Sequence, residues 1–548
     1  MINTINQELC TGCGTCLKTC GLDVFRLDTN QNTISPCSRE CPAGTDMRAY
    51  NALMQLGMRE EAAQKLKERN PFPAITGRVC PHPCEKKCSR AEVDGAVNIN
   101  AVEQYLGDFD LDTLPERPAV RHLAKVAVAG SGPAGLSCAW FLAQMGYPVT
   151  VFEAAPEPGG MLRWGIPAYR LPTAVIDAQI RQLRSLGVRF VCNTRIGDGC
   201  DISLEELGRR GFKAVFLAPG AGLSRRAQIP GEEAAGVFHG LEFLRAARTP
   251  RDASVPAVYG FKPGCSVVVV GGGDVAMDAA ITAARMGAGH VELVCLEDEQ
   301  TMPAFPHNIQ DARDAGVIIN AGWGPVEVTL ADGHAKGLKI RKCLSVFDEN
   351  HKFAPRFDDD TQREIAGDII IFAIGQTPDF TPFPELKKAT PGRLEVDPVT
   401  FNTSIWNVFA AGDAVSGPSS VISAIAGGRE GAISIDRLLK GAHLHSDRTD
   451  TRKIPETLPG KGVLGAPRNE RTTVKADGFG ETRKGLDTVA ALDESMRCLT
   501  CGAKSKVTYR DDCMTCYFCE LRCPSDAIDV FPFKERLPYT IESNTHAW

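Results

Sequence analysis

Between residues 122 and 440 the chain alternates short Val/Ile/Ala runs with glycine-rich turns and longer stretches of helical spacing, the pattern of parallel α/β units. The longest apolar runs, such as SVVVV and DIIIFAIG, have strand length, whereas a membrane-crossing helix needs about 18–20 apolar residues. No membrane insertion is expected. Ahead of this region, DMRAYNALMQLGMREEAAQKLKE carries helical spacing that Asn70 and Pro71 break, so residues 35–118 read as a helical domain. Residues 1–34 hold CTGCGTCLKTC and a short apolar-aromatic stretch. Residues 441–485 are polar and rich in Pro, Gly, Lys and Arg, which reads as an extended linker, and 486–548 join a helical approach to a last cysteine run.

Composition narrows the chemistry. A length of 548 residues suggests three or four domains at roughly 100–200 residues each. The net charge of −6, with 23% charged residues, provides no basic field for nucleic acid, so proteins and small molecules are the expected partners. The N-terminus reaches Cys10 without a basic region or apolar signal core, and a cytoplasmic location is expected. Twenty-one cysteines crowd into two- and three-residue spacings near both ends, a pattern of metal or redox chemistry in a reducing compartment.

Two glycine motifs follow strands. In VAVAGSGPAGLS the run Gly130, Ser131, Gly132, Pro133, Ala134, Gly135 supplies a tight turn, a close approach to pyrophosphate and close helix–strand packing. The next strand ends at Glu153, where an acid accepts from a ribose hydroxyl. The second copy, SVVVVGGGDVAMDAA, offers Gly271, Gly272, Gly273, Asp274, Val275 and Ala276. Nesting of the second inside the first describes an FAD-binding domain (122–255 and 367–440) interrupted by an NAD-binding domain (256–366). The flavin half is expected to resume at DIIIFAIGQTPD and close at NVFAAGDAV, with Gly412 and Asp413 at the flavin's ribityl-phosphate region. The helix SAIAGGREGAI would then aim its N-terminal dipole at the isoalloxazine. Gly160, Arg163, Ile196 and Ile425 complete the expected FAD set, and Gly375 the NAD set.

The terminal cysteine runs share the C-x2-C-x2-C-x3-C spacing of bacterial ferredoxins, in which three cysteines wrap one cubane and the fourth ligates the other cluster. Each run is incomplete alone, so the two should meet. The expected sets are Cys10, Cys13, Cys16 and Cys523 on one [4Fe–4S] cluster, and Cys20, Cys513, Cys516 and Cys519 on the other. This makes a two-cluster ferredoxin-like module split between the chain ends.

The motifs SPCSRECP, GRVCPHPCEKKC, GAVNINAVEQY, GSGPAGLS, GGMLRWGIPAYRLP, GGGDVAMD, TMPA and AAGDAV carry a family resemblance. Over residues 35 to about 440 the chain resembles the small subunit of glutamate synthase. It is also similar to the N-terminal part of dihydropyrimidine dehydrogenase and to the large subunit of the bifurcating ferredoxin:NADP transhydrogenase. The resemblance implies FAD in the first site and a pyridine nucleotide in the second. It further implies a cluster held by Cys41, Cys80, Cys84 and Glu103. The family completes a second cluster, matching Cys37 and Cys88, with a Cys-x2-Cys inside an Arg-Cys-Leu-x-Cys-Gly sequence just upstream. Here TNQNTISPCSRE lacks that pair and RCLTCG stands at 497–502, so Cys498 and Cys501 are expected to complete the set with Cys37 and Cys88. Members using NADP carry Tyr-Arg-Arg after the second strand of the nucleotide domain; this chain has Cys295, Leu296 and Glu297, and a carboxylate there suits the 2′-hydroxyl of NAD. The six remaining cysteines are scattered through the α/β region, most of them expected to be small buried hydrophobes, and form no close pair for dithiol chemistry.

The expected protein is thus an α/β flavoprotein with two nested Rossmann-like domains, an α-helical iron–sulfur domain and a split ferredoxin-like module. It would hold FAD, NAD(H) and four [4Fe–4S] clusters. Its expected work is electron exchange, in either direction, between NADH and a ferredoxin or redox subunit of a hetero-oligomeric complex. A glutamate synthase small subunit, a flavin-bifurcating transhydrogenase subunit and an inactive electron-wire subunit are the alternatives.

Overall fold

The computed structural model describes residues 2–531 apart from Asp23, Asn30, Val120, 249–260, Thr390, Pro391, Lys461 and 475–477. Two five-stranded parallel sheets form its centre. The first runs Val408–Ala410, Phe212–Leu217, Lys125–Ala129, Val149–Phe152, Arg189–Val191 in spatial order. The second runs Ile318–Ala321, His290–Cys295, Ser266–Val270, Ile369–Phe372, Val237–His239. In each, the strand preceding a glycine motif lies in the middle and is covered on both faces, which is why Val126–Ala129 and Val267–Val270 are apolar without alternation. An antiparallel meander, Trp323–Ala331, His334–Phe347 and Phe353–Ala366, packs on the second sheet.

The sequence places the end of the inserted unit at residue 366 and gives DIIIFAIG to the flavin half. The structure corrects this. Ile369–Phe372 pairs in register with Val267–Val270, and Val237–His239 pairs with it in turn, so the inserted domain begins before residue 256 and ends after Phe372. Leu223–Ser224 and Gln376–Thr377 pair antiparallel and form the double crossing between the two domains.

Helix Val421–Leu439 lies against helix Pro133–Gln144, and the Ser137 hydroxyl donates to the Ile425 carbonyl at 2.7 Å. Gly428 permits the crossing: a Cβ there would strike the Ala134 carbonyl oxygen and lie 2.8 Å from Ser137 Cβ. Helix propensity alone favours Gly428→Ala by about 1 kcal/mol. We expect the collision to win, with a net loss of about 1–3 kcal/mol in denaturant unfolding; a more stable variant would show that the two helices can part without cost.

The helical domain is built from Met47–Gln55, Arg59–Lys67, Pro73–Val79 and Ile99–Phe109. Asp46 caps the first by accepting from Ala49 N at 3.3 Å. Phe72 and Ile75 sit in the flavin-domain core, Phe72 edge-on to Trp140, so the segment leading to Cys80 is seated on that domain.

The polar stretch expected to be a linker is docked on the domains at several of its described residues. The Arg471 guanidinium donates to the Gly77 carbonyl at 2.8 Å, Glu481 pairs with Arg78 at 2.7 Å, Thr482 N donates to the Tyr169 carbonyl and Arg483 pairs with Asp311 at 3.0 Å. The chain ends meet. Ile2–Ile5 pairs antiparallel with Ile528–Val530, and Phe25–Asp28 with Lys504–Val507, so both cysteine runs belong to one small module. No helix among the described residues is long and apolar enough to cross a membrane.

Candidate redox site

At the first motif, Gly130 has φ +102°, and a Cβ there would meet the Ala218 carbonyl of the neighbouring strand. Gly132 faces open space, with no protein atom within 4 Å of where a Cβ would stand, while Gly135 closes on the Gly130 carbonyl. This is the division of labour a pyrophosphate cradle needs: two glycines for chain packing and one for ligand approach. Ser131 N donates to Glu153 Oε2 at 2.9 Å, the Ser131 hydroxyl bonds the same oxygen, and Ala155 N donates to Oε1 at 2.8 Å. Glu153 therefore fixes the turn with both of its carboxylate oxygens. Gly160 sits against Gly132, and Gly412 sits against Ala134, so both converge on the motif. Asp413 accepts from Ser419 N at 3.1 Å at the head of helix Val421–Leu439.

Three expected FAD residues are placed differently. The Arg163 guanidinium is taken up by protein: Nε donates to the Pro158 carbonyl at 2.7 Å, and its other nitrogens pair with Glu157 and Asp177. Ile196 is buried in the core with Phe152 and Ile202, and Ile425 is buried between helices.

The second motif repeats the first. Gly271 has φ +142° and closes on the Ala373 carbonyl, Gly273 faces open space, and Ala276 is fully buried beneath the turn. Glu297 Oε2 would lie 2.7 Å from a Cβ on Gly272, so the carboxylate stands directly over the glycine turn. Asp274 accepts from Phe305 N at 3.0 Å and Asn308 Nδ2 at 2.7 Å, tying the TMPA loop to the same turn, and Val275 is partly buried beside it. Gly375 lies at the domain crossing, where its carbonyl accepts from Arg225 N at 3.0 Å. Sequence reasoning missed the clamp between the domains: Arg170 pairs with buried Asp278 at 2.6 Å and Tyr169 donates to it at 3.2 Å, with burial raising the Asp278 carboxyl to about 6.

Two of the four expected donor sets each line one cavity, although among the described residues no group of three or more His, Cys, Asp or Glu already stands in metal-holding geometry. Cys37, Cys88, Cys498 and Cys501 line one cavity with apolar Met47, Val97, Ile99 and Leu499. Burial pushes the Cys37, Cys498 and Cys501 thiols up to about 12, and each is raised further by its neighbours in the set. A second cavity is lined by Cys10, Cys13, Cys16 and Cys523 with Ile5 and Ile528. Cys519 faces Cys20, Cys513 and Cys516, of which Cys516 is exposed. Cys41, Cys80 and Cys84 all face Glu103. Dry spaces lined by thiols suit cubane clusters, whose iron stabilises thiolates that burial otherwise disfavours.

Glu103 fits the same role. It is 6% exposed, burial raises its carboxyl to about 8, and its partner is a neutral phenol, Tyr50 OH at 3.4 Å. A buried carboxylate without a cation beside it is costly, and iron would supply the missing charge.

The displaced half-site is held by ion pairs the sequence did not announce. Arg497, 1% exposed, pairs with Glu494 at 2.7 Å and Asp94 at 2.8 Å and donates to the Gly95 carbonyl at 2.8 Å. Glu494 also accepts from Asn98 N and Asn469 N, both at 2.7 Å. The arginine of RCLTCG thereby fastens the C-terminal segment to the loop following Cys88.

These features define a flavoprotein oxidoreductase with two dinucleotide folds and an iron–sulfur domain. Residues 124–428 match the pyridine nucleotide-disulphide oxidoreductase family, and the chain belongs to that family. Residues 30–113 match dihydropyrimidine dehydrogenase domain II, 4Fe-4S cluster. The chain is 35% identical over 507 residues to the NADP(+)-dependent formate dehydrogenase subunit beta of Moorella thermoacetica, covering 85% of this chain and 70% of that one. It is 32% identical to the NADPH-Fe(3+) oxidoreductase subunit beta of Geobacter sulfurreducens, covering 85% and 75%. It is 34% identical to the NAD-dependent dihydropyrimidine dehydrogenase subunit PreT of Escherichia coli, covering 74% and 92%. FprA from Mycobacterium tuberculosis shares the fold of the α/β region, with a TM-score of 0.50 at 18% identity over 58% of this chain and 85% of that one. The chain is therefore an FAD- and iron–sulfur-dependent NAD(P)H oxidoreductase, related to subunits of larger assemblies.

Proposed function

We propose that the chain exchanges electrons between NAD(H) and a redox partner protein, a ferredoxin or a partner subunit, through one FAD and four [4Fe–4S] clusters. What supports this reading is a series of links between the segments that carry the expected donors. Cys80 follows the segment seated on the flavin domain, and Tyr50 faces both Glu103 and the Cys37/Cys498 set. Gly12, beside Cys10 and Cys13, accepts from the Thr500 hydroxyl next to Cys501, and Cys516 lies at the surface.

Bound FAD would supply the exchange between two-electron hydride transfer and one-electron transfer, and the clusters would carry single electrons. The residues of the chain position and tune. Gly132 and Gly273 leave room for pyrophosphate, and Glu297 favours a free 2′-hydroxyl over a phosphate. The cysteine thiolates and the Glu103 carboxylate would hold iron, two of the sets in largely apolar cavities. Met514, Phe518 and Leu521, within a few residues of Cys516 in sequence, are exposed and would offer apolar surface to the partner.

Anaerobic titration tests the proposal. NADH is expected to bleach the flavin absorbance and then reduce the clusters, while Cys513→Ala with Cys516→Ala leaves flavin bleaching intact and abolishes reduction of an added ferredoxin. Ferredoxin reduction at full rate by that variant would contradict the proposed exit.

A further inference from the structure

Lys18 lies in the short helix Thr15–Thr19 of the N-terminal cysteine run, between two donor sets. Its Nζ donates to the Cys498 carbonyl at 3.1 Å, and its charge faces Cys13 and Cys16 on one side and Cys498 on the other. The Gly14 turn brings the chain close enough that a Cβ there would stand 3.9 Å from Nζ. Among the described residues no carboxylate is ion-paired with Lys18, and the cation facing it, Arg90, is already paired with Asp94 at 2.6 Å. A largely desolvated ammonium without an anion is expensive unless negative charge is supplied from elsewhere. A cubane held by four thiolates carries net negative charge, and reduction adds one more electron to it.

We propose that Lys18 is a positioning residue whose positive charge raises the reduction potentials of the two clusters it separates, that of Cys10, Cys13, Cys16 and Cys523 and that of Cys37, Cys88, Cys498 and Cys501. The inference rests on the four-cluster reading above. Its consequence is local. The pair of sites at the junction between the split module and the helical domain is shifted upward together, relative to the Glu103 site.

Lys18→Gln separates charge from hydrogen bonding, because an amide can still donate to the Cys498 carbonyl. In an anaerobic redox titration of the full chain followed by electron paramagnetic resonance, Lys18→Gln and Lys18→Met should each lower at least two of four midpoint potentials and leave at least one unchanged. Lys18→Arg should restore the wild-type values. Wild-type potentials in Lys18→Gln, with iron content unchanged, would overturn the inference, as would a fall in Lys18→Arg equal to that in Lys18→Gln. Iron analysis of the wild type stands apart: fewer than four clusters there would refute the underlying reading, whereas four clusters with unshifted potentials would refute the role of Lys18 alone.

Discussion

A chain carrying Cys498→Ala and Cys501→Ala is expected to lose about four irons and keep its FAD. Both cysteines line the cavity they share with Cys37 and Cys88, while the flavin motif is built from the separate core around Val126 and Val128. Two thiolates cannot hold a cubane, so the whole cluster should go. Loss of structure is not expected to follow, because Arg497, Glu494 and Asp94 still fasten the segment. Arg497→Ala provides the complementary result. It leaves all four cysteines in place but strands Glu494, which is fully buried, at a cost of about 3–5 kcal/mol. Iron should then be lost through disorder of the half-site. Unchanged iron in the double cysteine variant would mean that Cys37 and Cys88 find other partners.

The second large effect concerns the nucleotide. The wild type is expected to use NADH with a higher kcat/KM than NADPH, and Glu297→Arg to reverse the order. A carboxylate over the Gly272 turn accepts from a 2′-hydroxyl and repels a 2′-phosphate; an arginine does the opposite. Attraction gained and repulsion removed each contribute on the order of 1–3 kcal/mol, so the NADH/NADPH ratio should change by at least about 30-fold. Glu297→Ala should fall between. The relatives named for NADP(+) or NADPH and the one named NAD-dependent are 35%, 32% and 34% identical to this chain, so overall similarity does not decide the nucleotide. A wild type that prefers NADPH would contradict the assignment.

Much of this was legible in the sequence because the signals are local. Glycine spacing after an apolar strand specifies a turn, and three-residue cysteine spacing specifies a cluster, wherever the rest of the chain lies. The incomplete valence of each terminal cysteine run even required that residues 10–20 and 513–523 meet, as they do. What was not legible depends on partners far away in sequence. Ile369–Phe372 and Val408–Ala410 are equally apolar and buried, and nothing in either run says which sheet it joins. The 441–485 stretch looks solvated by composition, yet Arg452 lies beside Arg39, whose guanidinium donates to its carbonyl, and Arg448 pairs with Glu430 at 2.7 Å. Lys18 and Tyr50 have no motif signature of their own, and the RCLTCG motif does not announce the ion pairs of Arg497. Their importance appears only when the chain ends are brought together.

One chain is expected to complete four cluster sites beside a single flavin by bringing its own two cysteine runs together. The direct measurement is iron, acid-labile sulfide and FAD on anaerobically purified chain, in a fraction shown by light scattering to be monomeric. About sixteen irons and about sixteen sulfides per FAD are predicted, four of each for every cubane. About eight of each in the monomer, rising only when chains associate, would show that the terminal runs are completed between chains and would contradict the account.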